Sequence, residues 1–72
     1  MKVFIKLFFS SEGPNPLEIL KRVREMGFQP VFGNYDLMKE VKDIDEYLQL
    51  VKELHEKLKG TKVFYNLYSA KE

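Results

Sequence analysis

The stretch Gly33-Asn34-Tyr35-Asp36-Leu37 decides how the chain divides, because it lies between two strand-like segments. A glycine here permits a backbone turn that a β-carbon would hinder. Asn34 tolerates left-handed geometry, and Asp36 places a carboxylate at the turn. We therefore predict a hinge at Gly33 and Asn34 that joins the second strand to the third. The same segment would offer a ligand exposed backbone and one acid.

The first strand is predicted at residues 2 to 9, which are rich in β-branched and aromatic side chains. Alternate residues of a strand point to opposite faces. One face is purely apolar and is predicted to meet helices; it consists of Val3, Ile5, Leu7 and Phe9. The other mixes phenylalanine with lysine and is predicted to be half-exposed or covered by another subunit; it consists of Lys2, Phe4, Lys6 and Phe8.

The first helix is predicted from Pro16 to about Met26. Asn15 is a typical N-cap, and proline is favoured at the first helical position. Gly27 provides the C-terminal stop. The predicted buried stripe consists of Ile19, Leu20, Val23 and Met26.

Two further strands are predicted on either side of the hinge. Residues 28 to 32 contain Pro30, which cannot donate a ladder hydrogen bond, so an edge strand, a bulge or the first residues of a strand are expected there. Residues 35 to 42 form the third strand, with Leu37 and Val41 on one face and Met38 and Glu40 on the other.

The second helix is predicted from Asp43, which with Glu46 forms a start similar to a capping box, through Lys59. Gly60 ends it, residues 62 to 68 form the last strand, and residues 69 to 72 are expected to be a frayed tail. The predicted core-facing stripe of this helix recurs at helical spacing, with His55 at its edge, and consists of Ile44, Tyr47, Leu48, Val51, Leu54, His55 and Leu58.

The order strand, helix, strand, strand, helix, strand predicts an α+β fold, the ferredoxin-like βαββαβ plait, as a single domain over residues 1–72. Its four-stranded antiparallel sheet has two helices on one face and leaves the other bare. We expect that bare face to form a homodimer interface, or part of a higher oligomer. The residues assigned to this interface are Phe4, Phe8, Phe64 and Tyr68.

Composition narrows the possible functions. The 72 residues carry 12 basic and 11 acidic side chains, which argues against a dedicated nucleic-acid binder. The absence of cysteine excludes disulfides and thiolate chemistry, and the single His55 has no partner at catalytic or metal-binding spacing. We expect no cofactor, no metal and no membrane span, and a complete cytoplasmic chain. Abundant lysine and glutamate indicate a thermophilic source.

The motif Val31-Phe32-Gly33-Asn34-Tyr35-Asp36-Leu37 is followed by a charged strand, an acid-capped helix, Gly60 and a final strand with Val63. In this order it resembles the effector-binding domain of the leucine-responsive and asparagine-regulator (Lrp/AsnC) transcription factors, the RAM domain. A related family of stand-alone dimeric α+β barrel domains, named for a Gly-Tyr-Asp motif, is equally similar. The resemblance covers the second half of the chain; the first half matches in element order alone.

The resemblance implies a dimer whose sheets pack face to face as a dimeric α+β barrel. It also implies an amino acid or other small metabolite bound near the turn by Gly33, Asn34, Tyr35 and Asp36. Two features depart from the family. The chain has no helix-turn-helix segment with which to bind an operator, and its final strand lacks the family's threonines.

The residues also admit structural roles. Asp36 either binds a ligand amino group or fixes the turn by accepting hydrogen bonds from nearby backbone amides, and we favour the second role. Tyr35 is favoured as a packing residue with a solvated hydroxyl. Gly33 is required by the turn in either case.

Three functions are compatible with the sequence. We favour a non-catalytic, ligand-sensing or regulatory oligomerisation module. The first alternative is a single-stranded RNA-binding ferredoxin-like domain that uses the aromatic sheet face. The second is a cofactor-free dimeric-barrel enzyme, which the lack of tryptophan, cysteine and a second histidine disfavours.

Overall fold

A computed structural model describes residues 1–31, 33 and 35–70. The elements are β1 (Lys2–Phe8), α1 (Pro16–Glu25), β2 (Gln29–Pro30), β3 (Leu37–Glu40), α2 (Ile44–Leu58) and β4 (Phe64–Ala70). In this part of the chain the strands form one antiparallel sheet in the order β2-β3-β1-β4. The predicted ferredoxin-like βαββαβ plait is confirmed, and β2 lies at an edge of the sheet, as Pro30 indicated.

The core lies between one face of the sheet and the two helices. The alternation in β1 places Val3, Ile5 and Leu7 in the core, as predicted. Leu37 and Val41 join them, which confirms the face assigned to β3 and the residue that follows it. The other buried residues come from the helices and from the segment after α1: Ile19, Val23, Met26, Phe28, Leu50, Leu54 and Leu58.

Both helices begin at the predicted caps. The Asn15 side chain accepts a hydrogen bond from the Leu17 N–H at 2.9 Å, and Asp43 Oδ1 accepts one from the Glu46 N–H at 2.9 Å. These bonds satisfy amides that the first turn of a helix leaves without an intrahelical partner. α1 is followed at its C-terminal end by Gly27, whose φ of 100° suits glycine.

The stripe predicted for α2 is rotated. Each residue advances about 100° around a helix, so Leu48 and His55 lie roughly 100–120° away from Leu54. Leu54 is fully buried, Leu48 is 58% exposed and His55 is exposed. Ile44 is also exposed, and Leu50, which the prediction omitted, is buried in its place. Since several apolar positions compete on this helix, its placement over the sheet decides which ones are covered.

Strand lengths differ from the predictions at several ends. Phe9 lies beyond the last β1 pair, Phe8 with Phe64, and is exposed rather than buried. Ser69 and Ala70 are not a frayed tail, because they pair with Val3 and Lys2. β2 and β3 are shorter than expected. The predicted end of the second strand at Phe32, and residues 71 and 72, lie outside the described residues.

Candidate functional site

The sheet face opposite the helices, called the open face below, carries aromatic side chains. Phe4 pairs across the sheet with Met38 on one side and Tyr68 on the other, and Phe8 pairs with Phe64. Phe64 is 74% exposed, Tyr68 43% and Phe8 42%. Phe4, Phe8, Phe64 and Tyr68 therefore share one face, and the exposed apolar residues on it indicate an interface.

Three rings of the open face pack on one another. The Tyr35 ring centroid lies 5.1 Å from that of Phe4 and 5.1 Å from that of Tyr68, in tilted arrangements. These separations are typical of favourable aromatic pairs. We call Phe4, Tyr35 and Tyr68 the aromatic cluster. Tyr35, from the predicted ligand segment, is half-buried here and has the packing contacts favoured for it.

Asp36 makes hydrogen bonds that connect the start of β3 to β1 and to Val31. Its Oδ2 accepts a hydrogen bond from the Leu7 N–H at 2.7 Å, and its own N–H donates to the Ile5 carbonyl at 3.0 Å. Its carbonyl accepts a bond from the Val31 N–H at 3.2 Å. The carboxylate thus bonds an amide of β1, 29 residues away in sequence. This short bond to an ionised acceptor belongs to the stronger class.

Gly33 has a φ of 113°, a backbone conformation that side chains rarely adopt. Leaving aside its chain neighbours, none of the described residues brings an atom within 4 Å of the position that a β-carbon would take. The backbone conformation alone therefore favours glycine at this position, as expected for the predicted turn. Asn34, the remaining member of the predicted ligand segment, lies outside the described residues.

A groove of about 630 Å³ runs between α1 and the β2 edge of the sheet. Its apolar wall includes Leu17 and Leu20, and its charged groups include Lys21, Arg24, Glu25 and Asp36. The two neighbouring residues Tyr35 and Asp36 therefore lie on different surfaces. Asp36 lines the groove, whereas Tyr35 packs against Phe4 and Tyr68 in the aromatic cluster. No local sequence pattern predicts the groove, because its lining comes from α1, β2 and the start of β3.

Other surfaces offer less chemistry. Ile44 and Leu48 form an exposed apolar patch on α2 that the helical periodicity had assigned to the core. Over residues 1–31, 33 and 35–70, acidic and histidine side chains form no group that could hold a metal ion. No helix in the described part of the chain is long and apolar enough to cross a membrane.

No protein-family model, no curated protein and no solved structure matches this chain. The fold and the open face define its class as a small α+β domain with ferredoxin-like topology.

Proposed function

We propose that this protein is a non-catalytic regulatory module that assembles with a second copy of itself and senses a small zwitterionic metabolite such as an amino acid. One observation carries the proposal. Adjacent residues serve two surfaces, since Tyr35 packs in the aromatic cluster and Asp36 lines the groove. The resemblance to the Lrp/AsnC effector-binding domain, or to a stand-alone dimeric α+β barrel domain, implies the same combination of ligand and assembly.

Self-association is supported by the composition of the open face. Phe8, Phe64 and Tyr68 leave much of their ring surface in water, although a 72-residue domain has a small core and gains from further apolar burial. The net charge of +1 gives two copies little mutual repulsion. We therefore assign the open face as the contact between two copies.

The composition of the groove suits a zwitterion. Lys21 and Arg24 offer cations to a ligand carboxylate, while Leu17 and Leu20 offer apolar contacts to a ligand side chain. Asp36 offers an anion to a ligand ammonium group, and its two oxygens allow it to bond Leu7 and a ligand together. The volume of about 630 Å³ lies in the range of small-molecule sites, roughly 300–1,000 Å³.

The adjacency of Asp36 and Tyr35 supplies the coupling. A ligand that hydrogen-bonds to Asp36 shares the carboxylate with the Leu7 N–H and so alters that hydrogen bond. Any resulting shift of the Asp36 backbone moves the Tyr35 ring against Phe4 and Tyr68. A ligand shifts assembly only by binding one arrangement better than the other. In this mechanism the differential contact is the one to Asp36.

The assembly part is tested by light scattering on wild type and on Phe64→Lys. A lysine at the most exposed ring of the open face places like charges on the contact between copies, so the variant is expected to have a lower average mass than wild type at the same concentration. Leu48→Lys is the matched control, because Leu48 is 58% exposed but lies on α2. A monomeric wild type at high micromolar concentration would remove this part of the proposal.

The ligand part is tested by calorimetric titration against a panel of amino acids. We expect binding by at least one member, weakened roughly tenfold or more in Asp36→Asn, which corresponds to the loss of one charge-assisted hydrogen bond. Asp45→Asn, at an exposed position in the first turn of α2, is expected to bind like wild type. A silent panel that leaves the oligomeric state unchanged would refute ligand sensing.

Binding of single-stranded RNA is the second candidate. The observation that favours it is the aromatic cluster, because β1 places Lys2 and Lys6 on the same face as these rings. Exposed rings beside cations are typical of surfaces on which bases stack. Filter binding of a short oligonucleotide over a salt series is the test: this function requires affinity that falls with salt and is lost in Tyr68→Ala.

A further inference from the structure

The two edges of the sheet differ in their capacity to accept another strand. β2 has two residues and ends in Pro30, which has no N–H to donate. β4 has seven residues, with no proline, no glycine and no charged side chain among Phe64-Tyr65-Asn66-Leu67-Tyr68-Ser69-Ala70. Among the described residues, β4 has a neighbouring strand, β1, on one side only.

An edge strand of this kind is unusual in a protein that stays monomeric. Alternate residues of an antiparallel strand turn their N–H and C=O groups away from the neighbour, so the outer side of β4 presents a row of donors and acceptors. Natural edges are commonly protected by charges, proline, bulges or short length. The β2 edge has two of these protections, whereas the sequence of β4 has none of them.

We propose that the outer edge of β4 pairs with the β4 of a second copy, antiparallel, about a twofold axis at Leu67. This register uses all seven residues of the strand. It sets Phe64 opposite Ala70 and Tyr65 opposite Ser69, so large side chains meet small ones. It places no like charges in opposition, because the strand carries none. The result is a continuous sheet across two copies.

The contrast between the edges identifies a second copy as the occupant. If β4 of one copy paired with β2 of the next, the contact would be head-to-tail and would extend without limit. Pro30 and the two-residue length of β2 disfavour that contact. Pairing of β4 with itself is isologous, so it closes at two copies. The absence of charge also gives the edge nothing with which to select a charged foreign peptide.

This contact is independent of the proposed function. It uses backbone groups at the outer edge of β4, whereas the proposed contact between open faces uses side chains of β1 and β4, namely Phe4, Phe8, Phe64 and Tyr68. The groove lies at the opposite, β2 edge of the sheet. Edge pairing therefore stands or fails without regard to ligand binding.

Single-cysteine variants test the register, because the chain contains no cysteine of its own. Tyr65, Leu67 and Ser69 lie opposite Leu7, Ile5 and Val3, whose side chains are buried beneath the helices. Cysteines at 65, 67 and 69 therefore point away from the open face, and a contact between open faces does not cross-link them. On the proposed axis, residue 67 faces its own counterpart at roughly 5 Å between β-carbons.

We expect Leu67→Cys to form a disulfide-linked dimer on mild oxidation. Tyr65→Cys and Ser69→Cys are the matched controls: each should cross-link roughly tenfold less alone, since a residue four positions from its counterpart lies beyond disulfide reach. Mixing these two controls should restore the cross-link. Efficient cross-linking of either control alone, or no cross-linking in any variant or mixture, would overturn the proposal.

Hydrogen exchange on the unmodified protein covers the case in which a variant fails to fold. Outward amides of β4 should exchange several-fold more slowly at high than at low protein concentration, while the α1 amides stay unchanged. Equal exchange of the β4 amides at both concentrations would also overturn edge pairing. Neither measurement involves a metabolite, so a failure here is distinct from a failure of ligand sensing.

Discussion

The two faces of the sheet are built from the same strands but reach different states. On the helix side, β1 contributes Val3, Ile5 and Leu7, which are 0–6% exposed. On the open face the same strand contributes Phe4 and Phe8, and Phe8 is 42% exposed. Aliphatic side chains are covered by the helices of the same chain, whereas the aromatic ones pack on one another or lie beside Lys6. One face is covered within the chain, and the other leaves apolar rings exposed.

The largest difference in stability is expected between two truncations of phenylalanine to alanine, one in the core and one on the open face. Phe28 is fully buried in the core, and Phe64 is 74% exposed on the open face. Phe28→Ala is expected to cost about 3–5 kcal/mol in the free energy of unfolding, because it leaves a cavity. A core of this size supplies about 3–5 kcal/mol, so the variant should be largely unfolded.

Phe64→Ala, measured by urea denaturation at low protein concentration, is expected to stay within about 0.5 kcal/mol of wild type. The stabilities of wild type and Phe64→Ala should separate further as the protein concentration rises, since Phe64 lies in the proposed contact between copies. Similar losses for Phe28→Ala and Phe64→Ala at low concentration would mean that the two faces do not differ as described.

The next test concerns Asp36, which joins β1 to β3 and so supports both faces. Asp36→Ala leaves the Leu7 N–H without its acceptor and is expected to cost roughly 1–3 kcal/mol. Asp36→Asn keeps an acceptor oxygen and should cost less. Glu56→Ala removes a carboxylate from an exposed position on α2 and serves as the control in the same denaturation series. Equal stability of Asp36→Ala and the control would contradict a structural role for Asp36.

Among the truncations that remove contacts within one chain, the smallest effect is expected at Tyr35, where the open face packs on itself. Tyr35→Ala removes both ring contacts and should cost about 1–2 kcal/mol. Tyr35→Phe keeps the ring and is expected to be nearly neutral in thermal unfolding. A loss in Tyr35→Phe as large as that in Tyr35→Ala would show that the hydroxyl, rather than ring packing, is what matters there.

Local features of the sequence were sufficient to predict the element order. Asn15 and Asp43 mark the helix starts through bonds within three residues, and alternation in β1 needs no knowledge of the rest of the chain. The rotation of α2 was missed because Ile44, Leu48 and Leu50 are all apolar. The sheet beneath the helix decides between them.

The separation of Tyr35 from Asp36 was missed for a similar reason. The bond that directs Asp36 comes from Leu7, and the rings that hold Tyr35 belong to β1 and β4. No local pattern encodes partners so distant in sequence. The same holds for Ser69 and Ala70, whose strand conformation depends on Val3 and Lys2, their cross-strand partners far away in sequence.

The pairing of β1 with β4 has a consequence for how the chain is made. Lys2 of β1 pairs with Ala70 of β4. β1 can therefore pair with β4 only after nearly all of the described chain has left the ribosome. Closing so long a loop is slow compared with forming local contacts. Until then, β1 has one side unpaired, and a nascent chain in a crowded polysome can pair with the wrong neighbour. This period ends when β4 leaves the ribosome and pairs with β1.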